Sequence, residues 1–130
     1  MVHELSVCQG LLRQLEPLVA EHQGVLERVV VRIGPLSGVE PQLLQQAFPL
    51  ARQDTVAAQA ELVIEKTALR VSCKQCDEES EVSMNNLCCR HCGSQQTQLI
   101  SGDELLLVSI HFQQNTFNAK ALRRREQQIG

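Results

Sequence analysis

The stretch Cys73-Lys74-Gln75-Cys76, followed after twelve residues by Cys89-Arg90-His91-Cys92, decides how this chain is organised. Each Cys-x-x-Cys turn can direct two thiolates at one ion. Two such turns complete a tetrahedral site of four sulfur ligands, which is typical of structural zinc. Because all four positions are filled, such a site leaves no open position for a substrate. The alternative is two disulfides, which the lack of a secretion signal pattern disfavours.

Two further side chains with metal-binding atoms lie in or beside the second turn. Cys88 is interpreted as a partly exposed thiol, with a spare ligand or a competitor for the register as the alternatives. His91 is interpreted as a loop side chain, because four cysteines already fill the zinc shell; ligation is its alternative. We expect this part of the chain not to fold without metal, because the large apolar residues near it are few: Val71, Val82, Leu87 and Leu99.

The strands predicted on either side of the cysteines indicate that the metal-binding module is inserted into a domain whose sheet is built before and after it. Glu61–Lys66 alternates apolar and polar residues and predicts a half-buried strand. After Gly102, Glu104–Phe112 predicts a strongly apolar strand, and a third strand is predicted earlier in the chain, at Glu27–Ile33. The predicted core-facing residues of the first and third strands in chain order are Val29, Val31 and Ile33, and Leu106, Val108, Ile110 and Phe112.

Two helices are predicted in the first half of the chain. One starts at Leu5 and stops by Gly24, with a kink or break expected just before Pro17. The other spans Val39–Phe48, and Pro49 is expected to end or bend it. The fold class is therefore α+β: a small mixed sheet packed with two helices, with an inserted zinc-ribbon module.

The predicted elements divide the chain into three parts. Residues 1–67 and 100–112 form a discontinuous α/β domain, and residues 68–99 form the zinc-binding domain. Residues 113–130 are a C-terminal tail, either a frayed helix or disordered, for which the sequence indicates no function.

Composition excludes several classes of protein. The 130 residues suit one domain, or one small domain with a metal module. The net charge of −3, from 12 basic and 15 acidic residues, argues against nucleic-acid binding. No apolar run is long enough for a membrane-spanning helix. We therefore expect a cytoplasmic protein with reduced thiols and no membrane association.

The N-terminus is a second candidate metal site. An α-amine, backbone amides and an imidazole can hold Ni(II) or Cu(II) in square-planar geometry. With Met1 retained, the Met1 amine, the amides of Val2 and His3 and the His3 imidazole supply four nitrogens. With Met1 removed, the Val2 amine, the His3 amide and imidazole, and the Glu4 amide complete the square. The alternative is a solvated histidine. His22 and His111 are interpreted as solvated or as lying at the edge of the core.

Several segments together resemble one family. They are His3-Glu4-Leu5-Ser6, the segment Val31-Arg32-Ile33-Gly34-Pro35-Leu36-Ser37-Gly38-Val39-Glu40-Pro41, the paired cysteine turns, and Gly102-Asp103-Glu104-Leu105. From about residue 3 to Phe112 the chain resembles the HypA/HybF family, the nickel metallochaperones of [NiFe]-hydrogenase maturation.

The resemblance implies a nickel-binding α/β domain with an inserted zinc domain, and no catalysis. It implies that His3 and Glu4 belong to the Ni(II) site, while Cys73, Cys76, Cys89 and Cys92 hold structural Zn(II). The implied partners are a nickel-handling GTPase of the HypB kind, the hydrogenase large subunit and, for some members, urease maturation factors; a homodimer is also considered. Family members typically begin Met-His-Glu, whereas Val2 intervenes here, so removal of Met1 would restore the register.

Two other functions compete with nickel transfer. A zinc-ribbon adaptor for protein or nucleic acid would need a basic face near the cysteines, where acidic residues outnumber basic ones. A thiol oxidoreductase would need one reactive cysteine pair rather than two matched pairs.

Overall fold

The computed structural model describes residues 4–22, 24–113 and 127–129. Two helices and two small sheets confirm the predicted α+β class. In chain order the elements are α1 (Glu4–His22), β1 (Leu26–Ile33), α2 (Pro41–Ala51), β2 (Glu61–Lys66), β3 (Arg70–Cys73), β4 (Glu79–Glu81), β5 (Thr97–Ser101), β6 (Leu105–Phe112) and β7 (Gln127–Gln128).

The larger sheet is mixed and carries both helices on one face. Its strand order is β2-β1-β6-β7; β1 runs parallel to β2 and antiparallel to β6. On the other face, Arg28 and Arg32 of β1 lie 3.4 and 3.2 Å from Glu61 and Glu65 of β2. The core between sheet and helices is almost entirely aliphatic, and its most enclosed side chains include Leu11, Leu15, Val29, Val31, Ile33, Leu44, Phe48, Leu107 and Ile110.

The two prolines do not end the helices. Of the kink or break predicted before Pro17, the break is wrong, because α1 continues to His22. Pro17 lies on the exposed side of α1, where water can hydrate the carbonyl that proline leaves without a helical donor. Pro49 is also exposed, and α2 continues past it to Ala51.

The predicted core face of β6 is wrong over half its length. Ile110 and Phe112 do belong to the core, but in the first half of the strand the core contains Leu105 and Leu107 rather than Leu106. The reason is a β-bulge, since Val30 pairs with Ser109 while Val31 pairs with Leu107. The extra residue, Val108, reverses the side-chain alternation of every residue before it.

The smaller sheet carries the first cysteine turn at the end of its central strand. Its order is β4-β3-β5, with both pairs antiparallel. Among the described residues, its hydrophobic core consists of Leu69, Val71 and Val82. Two residues expected to contribute do not, because Leu87 and Leu99 are 43% and 39% exposed.

The tail is not helical or disordered where the structure describes it. Gln127–Gln128 form β7 against β6, and Ile129 is buried in the core. Residues 114–126 and 130, the rest of the tail, lie outside the described residues. No helix within the described ranges is long and apolar enough to cross a membrane.

Candidate metal centre

The two cysteine turns have matching backbone geometry. In the first, the N–H of Asp77 donates to the carbonyl of Cys73 at 3.0 Å; in the second, the N–H of Gly93 donates to the carbonyl of Cys89 at 2.9 Å. Asp77 and Gly93 both have positive φ, 59° and 78°. Gly93 adopts this conformation without strain, and Asp tolerates it better than most residues. The chain thus contains the same turn twice.

These turns bring four sulfur atoms together. The Sγ atoms of Cys73, Cys76, Cys89 and Cys92 all lie within 4.8 Å of one another. Cys73 and Cys92 are 3.5 Å apart, and Cys76 and Cys89 are 3.6 Å apart. A tetrahedral Zn–S distance of about 2.3 Å requires sulfurs about 3.8 Å apart. The donor set and its spacing therefore fit one zinc ion, and all six cysteines of the chain are free of disulfides.

Backbone N–H groups support negative charge on these sulfurs. The N–H groups of Gln75 and Cys76 point at the Cys73 Sγ, at 3.3 and 3.5 Å, and the N–H of His91 points at the Cys89 Sγ at 3.3 Å. Hydrogen bonding from Cys76 is the main cause that lowers the pKa of Cys73 to about 6. Hydrogen bonding from Cys92 likewise lowers the pKa of Cys89.

The pKa values of the other two thiols, Cys76 and Cys92, are raised. The N–H groups of Glu78 and Ser94 would lower the pKa values of Cys76 and Cys92. Desolvation and the neighbouring sulfurs outweigh those hydrogen bonds and raise both values, that of Cys76 to about 12. Four thiolates this close repel one another, so a divalent cation is what allows all four to ionise together.

Cys88 and His91 lie outside this group of four sulfurs. The Cys88 side chain is partly exposed, and its backbone N–H donates to the Asn86 Oδ1 at 3.1 Å. His91 is exposed and contributes its backbone N–H, not its ring, to the hydrogen bonds of the cysteine turns.

The N-terminal candidate site is described only from Glu4 onward. Met1, Val2 and His3 lie outside the described residues. The Glu4 carboxylate accepts a hydrogen bond from the backbone N–H of Glu40 at 3.2 Å. Glu40 precedes α2 as its N-cap, and its own side chain accepts from Gln42 N. The start of α1 is therefore tied to the start of α2.

The chain crosses between the two sheets twice, at residues 67–69 and again at residues 102–104. The segment that leads to Glu40 is hydrogen-bonded to the second crossing. We call residues 34–40 the junction loop. Its Gly34 N–H donates to the Glu104 carbonyl at 2.9 Å, and its Leu36 N–H donates to the Gly102 carbonyl at 2.6 Å. On the other crossing, the N–H of Thr67 donates to the Ile33 carbonyl at 3.1 Å.

Sequence reasoning missed the role of the junction loop. A Cβ on Gly34 would lie 2.2 Å from the Gly102 carbonyl oxygen, so the loop requires glycine for close approach. Gly34 and Gly102 are both visible in the sequence. Their contact joins residues 68 positions apart, and nothing local to either glycine indicates it.

Comparison with known proteins shows the family of this chain. The model of the family described as "Hydrogenase/urease nickel incorporation, metallochaperone, hypA" matches residues 2–112. The chain belongs to the HypA family. It is a metallochaperone by family, concerned with nickel incorporation, and not an enzyme. The oxidoreductase alternative is therefore excluded.

Individual HypA proteins match over nearly their whole length. The hydrogenase maturation factor HypA of Nitrosospira multiformis is 44% identical over 110 residues, 84% of this chain and 96% of the relative. That of Aquifex aeolicus is 42% identical over 113 residues, 86% of this chain and 98% of the relative. The solution structure of the Ni metallochaperone HypA from Helicobacter pylori matches with a TM-score of 0.60 at 29% identity, over 85% of this chain and 97% of that one.

Proposed function

We propose that this HypA protein carries Ni(II) at its N-terminus and delivers it for [NiFe]-hydrogenase maturation. The observation that carries the proposal is the anchoring of Glu4, which gives the residues just before it a fixed starting point on the fold. The first N–H groups of a helix have no acceptor within the helix. Amides at the start of α1 can therefore be deprotonated for nickel without breaking a helical hydrogen bond.

The nickel ligands in this proposal are nitrogens of the first four residues. They are the α-amine of Met1 or, after its removal, of Val2, together with backbone amides and the His3 imidazole. Four nitrogens in a plane suit Ni(II). Retention of Met1 gives a tighter chelate than removal, and we expect the shorter form to release nickel to a partner more readily.

We assign Glu4 a positioning role in addition to its backbone amide. Its Oε2 accepts a hydrogen bond from the Glu40 N–H, and in this role the carboxylate holds the peptide in place. A hydrogen bond of this exposed kind is worth about 1 kcal/mol. Its loss corresponds to a several-fold weakening of nickel binding, since about 1.4 kcal/mol is tenfold.

The nickel site is tested by titration of the zinc-loaded protein with Ni(II). His3→Ala should abolish the visible absorption of square-planar Ni(II) and leave zinc content unchanged. His22→Ala, at the far end of the same helix, is the matched control and should titrate like the wild type. Intact mass of the same samples reports whether Met1 is present. Unchanged nickel affinity in His3→Ala would overturn the proposal.

The positioning role of Glu4 is tested by two substitutions. Glu4→Gln keeps an acceptor oxygen for the Glu40 N–H, whereas Glu4→Ala removes it. We expect Glu4→Ala to weaken nickel binding several-fold and Glu4→Gln to retain most of the affinity. Equal losses in both variants would instead point to the negative charge, and so to direct binding by the carboxylate.

We further propose that Cys73, Cys76, Cys89 and Cys92 hold a resident Zn(II). The sulfur spacing and the N–H groups directed at the sulfurs support this assignment. Zinc here organises a small domain of residues 68–99, while residues 1–67 and 100–112 form the nickel-binding domain. Three buried apolar residues form the core of the smaller sheet within the described part of the chain, so metal must supply much of its stability.

The proposed partners are those of nickel delivery in the cytoplasm. They are a GTPase of the HypB kind, the hydrogenase large subunit and, because the family description includes urease, urease maturation factors. Pull-down of each purified candidate with this chain tests the assignment. Binding to none of them would overturn it.

A further inference from the structure

The last described residues of the chain lie along the edge of the larger sheet. Gln127 and Gln128 pair with Leu107 and Leu106 of β6, and the N–H of Ile129 donates to the Leu105 carbonyl at 2.9 Å. Ile129 is 3% exposed and belongs to the same core as both helices. The contact is short, but it combines backbone pairing with one fully buried apolar anchor.

This segment lies outside the part of the chain shared with relatives. The family match ends at residue 112. The aligned 110 and 113 residues already cover 96% and 98% of the two relatives described above. Residues 113–130 are thus an addition to the common fold, and without them β6 would be the outermost strand of the larger sheet.

The two edges of that sheet differ in charge. The β2 edge has the sequence Glu-Leu-Val-Ile-Glu-Lys, three of whose six side chains are charged. Charged side chains on an edge strand discourage pairing with other chains. The β6 sequence, Leu-Leu-Leu-Val-Ser-Ile-His-Phe, has no Asp, Glu, Lys or Arg. An uncovered β6 edge would therefore be an apolar template for another strand.

We propose that residues 127–129 are a built-in cap on the β6 edge, and that without the cap this edge pairs with β6 of a second copy of the chain. Antiparallel pairing of two identical strands obeys the two-fold symmetry that most homodimers use. The cap therefore keeps the full chain monomeric. The proposal concerns assembly and does not depend on nickel binding.

The chain between β6 and the cap is long enough for capping within one molecule. The return from Gln113 to the level of Leu107 along the sheet is about 20 Å, at about 3.4 Å per residue. The thirteen intervening residues can span up to about 45 Å. A tether of this length gives an effective concentration in the millimolar range. At micromolar protein, capping within the molecule therefore outcompetes pairing between molecules.

The first test is the mass in solution of zinc-loaded protein, by sedimentation or light scattering. The full chain should be a monomer, and a variant that ends at Gln113 should be a dimer. Ile129→Asp, which removes only the anchor, should shift the chain toward dimer, whereas Ile129→Val should stay monomeric. A monomeric truncated chain would overturn the proposal. So would a full chain that is dimeric, because the cap would then not prevent association.

The second test is hydrogen exchange at adjacent amides. Alternation along β6 points the N–H of Leu107 toward β7 and that of Leu106 toward β1. In the dilute truncated variant, Leu107 should exchange at least about tenfold faster than in the full chain, with Leu106 unchanged as the internal control. Raising the concentration of the truncated variant should restore protection at Leu107. Equal Leu107 exchange in full and truncated chains would show that the cap does not form.

Discussion

A single carboxylate, that of Glu104, joins the two segments in which the chain crosses between the sheets. Its Oε1 accepts from the Thr67 hydroxyl at 2.7 Å and from the Gly102 N–H at 2.9 Å. Burial would raise the pKa of this carboxyl. The hydrogen bonds from Thr67 and the backbone, with the nearby charge of Arg32, outweigh burial and lower it below its ordinary value of 4.5.

The lowered pKa of Glu104 predicts a pH-dependent contribution to stability. The contribution is fully present above about pH 4.5 and is lost as the pH falls through the lower folded-state pKa. Glu104→Gln keeps the acceptor oxygen but removes the charge. We expect it to lower the free energy of unfolding at pH 7 by about 0.5–1 kcal/mol, allowing for solvent screening.

Urea unfolding of both proteins between pH 7 and pH 3 measures this effect. The difference between wild type and Glu104→Gln should shrink toward zero at the acid end. Zinc analysis at each pH restricts the comparison to samples in which both proteins keep their metal. Glu16→Gln, on the exposed side of α1, should show no such trend. A difference that stays constant with pH would contradict the prediction.

Each of the two cysteine turns is a complete local element, which is why the sequence predicted them well. The N–H groups directed at the sulfurs come from residues two to five positions after the first cysteine of each turn. The face of β6 was not predictable in the same way, because the bulge at Val108 exists only relative to the pairing with β1. The strand at Gln127–Gln128 likewise depends on β6, far earlier in the sequence.

Substitution of Cys92 should weaken zinc binding, whereas substitution of the nearby Cys88 should not. Cys92→Ser removes a proposed zinc ligand at the most exposed of the four positions, so it disturbs packing least. We expect zinc affinity to fall by more than about 100-fold, since loss of an outer-shell partner alone costs 10–100-fold. The amide NMR signal of Val71 in the smaller sheet should lose its folded-state position, while that of Val29 in the larger sheet should stay unchanged.

Cys88→Ser is the matched control for this prediction. Cys88 is adjacent to Cys89 but outside the group of four sulfurs. The variant should therefore keep its zinc and its Val71 signal. Metal analysis after gel filtration gives the zinc content of both proteins. A comparable zinc loss in Cys88→Ser would mean that Cys88 shares the ligand role.

One methyl group added at Gly34 of the junction loop should lower the free energy of unfolding. In Gly34→Ala the new Cβ would press against the Gly102 backbone, which cannot move aside as a flexible side chain could. We expect a loss of at least about 1–3 kcal/mol in the free energy of unfolding. Gly93→Ala has open space around its Cβ and only an unfavourable φ of 78°, so it should lose about 1–2 kcal/mol.

Calorimetry of the zinc-loaded variants measures both losses, and amide exchange at Leu36 separates their causes. Gly34→Ala should also speed amide exchange at Leu36, whose N–H bonds to Gly102. Gly93→Ala should leave Leu36 unchanged. Leu36 protection that survives Gly34→Ala would show that the loop and Gly102 can separate without cost.

A continuous set of contacts links the smaller sheet to the start of α1. The Ser101 hydroxyl donates to the Ala68 carbonyl at 2.8 Å and so joins the two crossings between the sheets. The junction loop holds one crossing through Leu36, and its last residue, Glu40, holds Glu4. Loosening the smaller sheet should therefore be felt beside the proposed nickel ligands.

Removal of zinc tests this connection across the whole molecule. We expect the protein from which zinc has been removed to bind Ni(II) several-fold more weakly. The Leu36 amide should exchange faster, while the Val29 amide in β1 should keep its protection. The reason is that the crossings lose their anchor on the smaller sheet, so the junction loop no longer fixes Glu40 against Glu4. The Glu4→Ala variant provides the decisive control, because its nickel affinity should no longer respond to zinc. If zinc removal weakens nickel binding equally in wild type and Glu4→Ala, the connection does not run through the junction loop.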